Sequence, residues 1–322
     1  MINRVAHIFR EKKSFLIMTH KDPDVDAIGS MLALSGALRN LDKEVVNLCE
    51  RPLLPPLVYM SGSEKIVQQI DEGSYFDVSV ILDSSSIGRL GNLKSYLKNG
   101  KFVINIDHHD TNSYFGDFNV VESDYSSTAE LIHEIIKAAG IKIDYEIAEN
   151  IFAAIQSDTG SFIYDSTTPE AFRIGAEMME YGVKPWDVAG RMIMTYGKQR
   201  LKLMEAALKS VEFYHGGKVG VITLSSEMFK NTGAKLEESE GFGDLTRCVA
   251  GVEISVLIRQ TGESDYKFSL RSNKYVNAAR LASIYGGGGH MRAAGFESRG
   301  ALELIKKDFL DKTQRFLNGE YN

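Results

Sequence analysis

Short apolar runs alternate with longer helical stretches through the first half of the chain. Phe15-Leu16-Ile17-Met18-Thr19 leads into a polar loop, Lys21 to Asp26, and then into an apolar stretch from Ala27 to Leu38. Val45-Val46-Asn47-Leu48 is a second run. Val78-Ser79-Val80-Ile81-Leu82 ends at Asp83, and Phe102-Val103-Ile104-Asn105-Ile106 ends at Asp107. Runs this short and this continuously apolar predict strands buried on both faces, and their alternation with helices predicts a parallel sheet. Helices are predicted over Ser127–Ala139, Tyr145–Gln156 and Pro169–Tyr181, the first opened by a capping box, Ser127-Thr128-Ala129-Glu130. Residues 185–210 predict one long connecting helix on which Trp186, Arg191 and Tyr196 are packing residues. Beyond it, Lys218–Leu224, Val252–Arg259 and Tyr266–Leu270 predict strands, and Asn277–Tyr285 and Ala301–Phe316 predict helices. The expected architecture is α/β: a parallel-sheet domain over residues 1–184, a helical connector over 185–210 and a smaller α/β domain over 211–322.

Length and composition narrow the class. The 322 residues suit two domains, and 43% apolar with 25% charged residues is ordinary for a globular protein. Two cysteines, Cys49 and Cys248, cannot form a disulfide framework; both are expected to be buried and inert, in a reducing compartment. No stretch reaches the roughly 18 apolar residues of a membrane span, and the first residues lack a leader's apolar core, so the expected location is cytoplasmic. A net charge of −6 argues against a binder of long duplex DNA. The charge is uneven: residues 211–322 hold 15 basic and 14 acidic residues, leaving the first 210 at net −7. An acidic half joined to a near-neutral half suggests a metal-collecting domain beside an anion-gripping one.

Carboxylates and imidazoles fall where the strands end. His20, Asp24 and Asp26 follow the first run, Asp83 the third, and Asp107, His108 and His109 the fourth, while Asp158 follows a helix. The carboxyl ends of parallel strands form one rim, so these groups are expected to converge. An Asp after a strand is often only a turn former, but four or five carboxylates within a few ångströms repel unless cations neutralise them. Asp oxygens and His nitrogens without cysteine suit Mn²⁺ or Mg²⁺ better than structural zinc, and the count suits two ions, which promote in-line displacement at phosphorus. A second motif, Gly286-Gly287-Gly288-Gly289-His290, lets backbone approach a ligand and present N–H groups to an anion; Arg271 and Ser272 near a strand end add a guanidinium fork suited to phosphate.

The segment His20 to Ser30, Asp83, Asp107-His108-His109 and Ser157-Asp158-Thr159-Gly160 together resemble the four motifs of the DHH phosphoesterase superfamily. Gly286 to His290 resembles the glycine-rich motif of its DHHA1 domain, and the length and domain pair are most similar to the nano-RNase group. The resemblance implies a DHH domain joined to a DHHA1 domain, with the active site in the cleft between them. It implies two Mn²⁺ ions, with Mg²⁺ or Co²⁺ as alternatives. His20, Asp24 and Asp83 would bind one, and Asp26, Asp83, His108 and Asp158 the other. His109 would contact the scissile phosphate, with Asp107 supporting it. Arg271, Ser272, Gly287, Gly288, Gly289 and His290 would hold the substrate's terminal phosphate or base. Asp22 stands where relatives often carry a basic or neutral residue, so no phosphate contact is expected there.

The implied activity is a hydrolase of the exonuclease type. It would cut short oligoribonucleotides to 5′-mononucleotides and convert 3′-phosphoadenosine 5′-phosphate (pAp) to AMP. A cyclic di-AMP or pApA phosphodiesterase is the alternative; a polyphosphatase or single-strand exonuclease fits less well. Expected partners are short RNA or small nucleotides, without long duplex DNA or membrane, and a second copy in a homodimer.

Overall fold

The computed structural model describes residues 1–322 except Glu72, residues 193–195, His290 and residues 321–322. The chain divides into two compact units, Met1–Thr195 and Tyr196–Asn322.

In the first unit the order is α1 (Ile2–Glu11), β1 (Ser14–Met18), α2 (Val25–Arg39), β2 (Glu44–Leu48), β3 (Ile66–Val67), β4 (Val78–Leu82), β5 (Val103–Asp107), β6 (Phe118–Val121), α3 (Thr128–Ala138), α4 (Tyr145–Asp158), α5 (Pro169–Glu180) and α6 (Pro185–Met192). The six strands form one parallel sheet in the order β3-β2-β1-β4-β5-β6. Both of its faces are covered, as the continuous apolar runs require. Phe15 and Ile17 face one core with α1 to α4, whereas Leu16 and Met18 face another, closed by Leu90 and Leu93 from a 3₁₀ segment over Ile87–Asn99. Val78, Val80, Ile81 and Leu82 of β4 are fully buried. Each such side chain contributes about 1.5–3 kcal/mol relative to exposure.

Almost every residue of α2 is buried, because the sheet, α3 and α4 surround it. Gly29 sets how closely α2 meets α4: a Cβ there would lie 2.7 Å from the Asn150 carbonyl oxygen and 2.9 Å from Ala154 Cβ. This approach fixes the start of α2, with Asp24 and Asp26, relative to the end of α4, with Asp158.

The second unit contains α7 (Lys198–Lys209), β7 (Glu212–Tyr214), β8 (Val219–Leu224), α8 (Ser226–Thr232), β9 (Ile254–Gln260), β10 (Asp265–Ser272), α9 (Ala278–Ser283), β11 (Gly288–Gly289), β12 (Ala293–Arg299) and α10 (Leu302–Leu317). Its strands form a mixed sheet, β11-β12-β10-β9-β8-β7, in which β8 and β9 are parallel and the other pairs antiparallel.

Several expectations need correction. The single helix over 185–210 is two helices, α6 and α7, one in each unit: Gly197 is extended, at φ −68° and ψ 156°, and interrupts the run. Trp186 is 71% exposed rather than packed, and Tyr196 lies half-exposed under the Arg200 guanidinium at 4.1 Å. Arg191 is engaged, pairing with the buried Glu149. The capping box is offset by one residue. Ser127 Oγ accepts from Glu130 N, but the Glu130 carboxylate accepts from Ser126 N and Oγ. Cys49 is buried, and burial pushes its thiol up to about 12; Cys248 is exposed.

Candidate metal centre

The sheet order reverses between β1 and β4, and the crevice of such a sheet opens beyond the strand ends at that point. His20 follows β1 by two residues and Asp83 follows β4 directly. Asp107 closes β5, with His108 and His109 next; Asp24 caps α2, Asp26 lies in its first turn, and Asp158 is the last residue of α4.

These residues converge in three overlapping groups: His20, Asp24 and Asp83; Asp26, His108 and Asp158; and Asp83, His108 and His109. In each, one ligand atom per residue lies within 4.8 Å of the others. Asp83 joins the groups: its Oδ2 is 3.5 Å from His20 Nε2, and its Oδ1 is 3.7 Å from both His108 Nε2 and His109 Nδ1. Its backbone has φ +53°, in the left-handed region where few non-glycine residues sit, and such strain gathers at functional sites. His108 Nε2 is 3.2 Å from Asp158 Oδ2 and 4.0 Å from Asp26 Oδ2.

A second layer of contacts aims these groups. His108 Nδ1 faces the Tyr125 carbonyl at 3.3 Å, which turns Nε2 toward the carboxylates; metal-ligating histidines are commonly oriented this way. His109 Nδ1 meets Asp107 Oδ1 at 2.7 Å, while Asn112 Nδ2 donates to Asp107 Oδ2 at 2.6 Å. Asp26 accepts from the main-chain N–H groups of Thr128 (2.7 Å) and Ala129 (3.1 Å) and from Ser30 Oγ (3.1 Å). Thr128 Oγ1 donates to Asp83 Oδ1 at 3.0 Å. The sequence reading missed Thr128, Asn112 and Ser30. Thr128 lies within the capping segment, whose only visible signal was a helix start.

The electrostatics record the crowding. Asp24 is exposed, yet crowded by the neighbouring groups of the site. Desolvation by that crowding first, and Asp83 and Asp158 second, push its carboxyl up to about 6. Burial, then Asp158 and Asp83, hold Asp26 well above the carboxylate range, and burial raises Asp158 despite its bond to His108. Asp83 goes the other way: burial alone would raise it, but His20, His108 and His109 together bring it to about 2. Burial would lower His108, yet Asp158, Asp26 and Asp83 push it up to about 10; His109 is likewise raised, by Asp107 and Asp83.

The residues fit a divalent cation. His20 Nε2 is buried without a hydrogen-bond partner, and its nearest acid, Asp83 Oδ2 at 3.5 Å, is too far for a good bond. Carboxylates whose ionised forms are disfavoured together are what such an ion relieves.

In the second unit, Arg271 is half-buried on β10, with its Nε 4.0 Å from Asp244 Oδ1 and one terminal nitrogen donating to the Leu270 carbonyl. Ser272 is fully buried, and its hydroxyl donates to the Met291 carbonyl at 3.1 Å. Two of the glycines answer to their own chain. A Cβ at Gly287 would lie 2.2 Å from the Gly295 carbonyl oxygen, and one at Gly289 would lie 2.5 Å from that of Ala293. Gly288 faces open space. His290 lies outside the described residues.

The sequence pattern of the DHH family, N-terminal domain, matches residues 14–155, and that of the DHHA1 domain matches residues 232–319. The bifunctional oligoribonuclease and PAP phosphatase NrnA of Thermus thermophilus is 35% identical over 284 residues, covering 88% of this chain and 84% of that protein. This chain belongs to the DHH phosphoesterase family. The Bacillus subtilis protein of the same name is 25% identical over 285 residues and 88% of each chain. Among solved structures, an exopolyphosphatase-related protein from Bacteroides fragilis superposes with a TM-score of 0.92 at 29% identity, over 98% of this chain and 97% of that one. As a DHH phosphoesterase the chain is a hydrolase. No helix among the described residues is long and apolar enough to cross a membrane.

Proposed function

We propose that this DHH phosphoesterase is divalent-metal-dependent, cleaves short oligoribonucleotides to 5′-mononucleotides, and removes the 3′-phosphate of pAp. The observation that carries this reading is the convergence on the switch-point rim of two groups that share Asp83 and a third, Asp26, His108 and Asp158, linked to them through His108. It is supported by the Thermus relative, whose name carries both activities.

In this reading His20, Asp24 and Asp83 hold one Mn²⁺, and Asp26, Asp83, His108 and Asp158 hold the other. Ions bound there supply positive charge for the phosphoryl oxygens and make a water acidic enough to deprotonate near neutral pH. The chain's own residues do the aiming. Asp107 takes the Nδ1 side of His109, so Nε2 is the nitrogen presented to a phosphoryl oxygen. In its imidazolium form His109 would donate its Nε2–H to that oxygen as charge grows there. The α3 N-terminus and Ser30 keep Asp26 from swinging away. In the second unit, the Arg271 fork and the open backbone at Gly288 receive the substrate's terminal phosphate, and Ser272 fixes the neighbouring turn.

The test is a Mn²⁺-dependent hydrolysis panel of pApA, RNA of two to 24 nucleotides, pAp, cyclic di-AMP, polyphosphate and pyrophosphate, with Asp83→Ala as the blank. Cleavage should be fastest on the shortest RNAs and on pAp. A preference for cyclic di-AMP or polyphosphate would replace the substrate assignment. Activity surviving in Asp83→Ala would sink the metal assignment.

A further inference from the structure

The loop after α4 is held in a conformation that most residues avoid. Gly160, Ser161 and Phe162 have φ of +57°, +61° and +66°, three consecutive left-handed residues of which two are not glycine. L residues enter that region in succession only when surrounding contacts impose it. The contacts are visible. Phe162 stacks on Phe172 at 4.9 Å and meets Phe152 edge-on at 6.4 Å, and its N–H donates to Thr159 Oγ1 at 3.0 Å. The Thr159 carbonyl accepts from both Ile163 N and Tyr164 N at 2.9 Å, and Ser166 Oγ donates to the Asp158 carbonyl at 3.3 Å. The Tyr164 ring lies over Gly160, where a Cβ would come within 2.4 Å of Tyr164 Cζ.

The loop therefore folds back on Asp158 and keeps two large side chains in water. Ile163 is 79% exposed and Tyr164 45% exposed, and the Tyr164 ring rests on Gly160, just beyond the candidate ligand Asp158. Core packing does not explain Ile163, which buries little of its surface. A flat, half-wet ring on a rigid loop beside a phosphoryl-transfer centre is a surface on which a nucleobase stacks.

We propose that Tyr164, flanked by Ile163, is the stacking platform for the base adjoining the scissile phosphate, and that it selects nucleotides over bare phosphate chains. The proposal rests on the nucleotide phosphoesterase reading above.

The experiment measures kcat and KM for pApA and for its two analogues carrying one abasic ribose each. Wild type, Tyr164→Ala, Tyr164→Trp and Tyr164→Phe are compared, with tripolyphosphate as a base-free substrate. Tyr164→Ala should raise KM for pApA about 5- to 100-fold with little change in kcat, in keeping with one lost base stack. It should leave the analogue lacking the stacked base unaffected, while Trp and Phe retain wild-type KM. An unchanged KM for pApA in Tyr164→Ala would overturn the platform, as would equal losses on pApA and both abasic analogues, which would mean that the ring only props Asp158. If wild type prefers pApA to tripolyphosphate and Tyr164→Ala keeps that preference undiminished, the platform alone fails. If wild type prefers tripolyphosphate, the nucleotide reading fails and the platform with it.

Discussion

Replacing Thr128 with valine keeps the shape of a fully buried side chain and removes one hydroxyl. That hydroxyl donates to Asp83 Oδ1 at 3.0 Å, while the main-chain N–H of Thr128 goes to Asp26 and is untouched by the change. A hydrogen bond to a charged acceptor contributes about 1.5–3 kcal/mol, and the buried oxygen left behind has no ready access to water. For a unit of 195 residues this corresponds to a melting point about 3–12 °C lower without metal. Asp83 also loses a contact that sets its rotamer. Losses of this kind around a metal site cost about 10- to 100-fold in affinity. Thr128→Ser is the control: it drops one methyl group, costs about 1 kcal/mol, and keeps the donor. Both variants therefore lose stability, and only valine loses metal. Free Mn²⁺ counted by electron paramagnetic resonance during a titration gives the affinity, and melting in chelator gives the stability. Valine binding Mn²⁺ as tightly as wild type, or serine losing as much affinity as valine, would refute the role given to this hydroxyl.

Gly29→Ala presses a methyl group onto the Asn150 carbonyl and Ala154, so it should cost about 1–3 kcal/mol in a urea titration and weaken Mn²⁺ binding by spreading Asp26 from Asp158. Unaltered metal affinity in a destabilised variant would show that α2–α4 spacing does not tune the centre. Asn112→Ala removes the donor to Asp107 Oδ2 and should lower kcat about tenfold or more with little change in KM, since Asp107 then holds His109 less firmly; a change confined to KM would contradict that chain of contacts. Glu149 is held below its ordinary value: burial would raise it, but Arg191, Ser61 and Tyr145 outweigh burial. A depressed carboxylate contributes stability that is full above its unfolded value, near pH 4.3, and is lost as pH falls through the folded one. Wild type should therefore exceed Glu149→Gln in urea midpoint at pH 7 by more than it does at about pH 4, and a constant difference would count against the ion pair.

Much of the candidate centre could be read from residue order because its candidate ligands stand beside local signals. Apolar runs of five residues announce strands, and His20, Asp83 and Asp107 to His109 lie at or just beyond their ends. Asp158 was equally plain at the end of an apolar helix. What stayed hidden depends on distant partners. Thr128 lies 45 residues from Asp83 and 102 from Asp26, and nothing nearby marks it as their donor. The break at Gly197 escaped notice because one glycine in a run of good helix formers costs only about 1 kcal/mol, which surrounding packing readily overrides. The glycines at 286–289 suggested ligand approach. At 287 and 289 the closer constraint is the backbone of β12, which no local pattern reveals.

Hydrophobic periodicity and the residues at strand ends decided the fold class, the parallel sheet and the kind of chemistry available, because burial and backbone direction act on neighbours in the chain. Packing decided the rest. The approach of α2 to α4 placed Asp26 with His108 and Asp158, and the docking of α3 brought its first N–H groups to Asp26 and a hydroxyl to Asp83. The bond from Asp107 chose which nitrogen His109 presents. These are contacts between segments tens of residues apart, and their geometry exists only once the cores have closed.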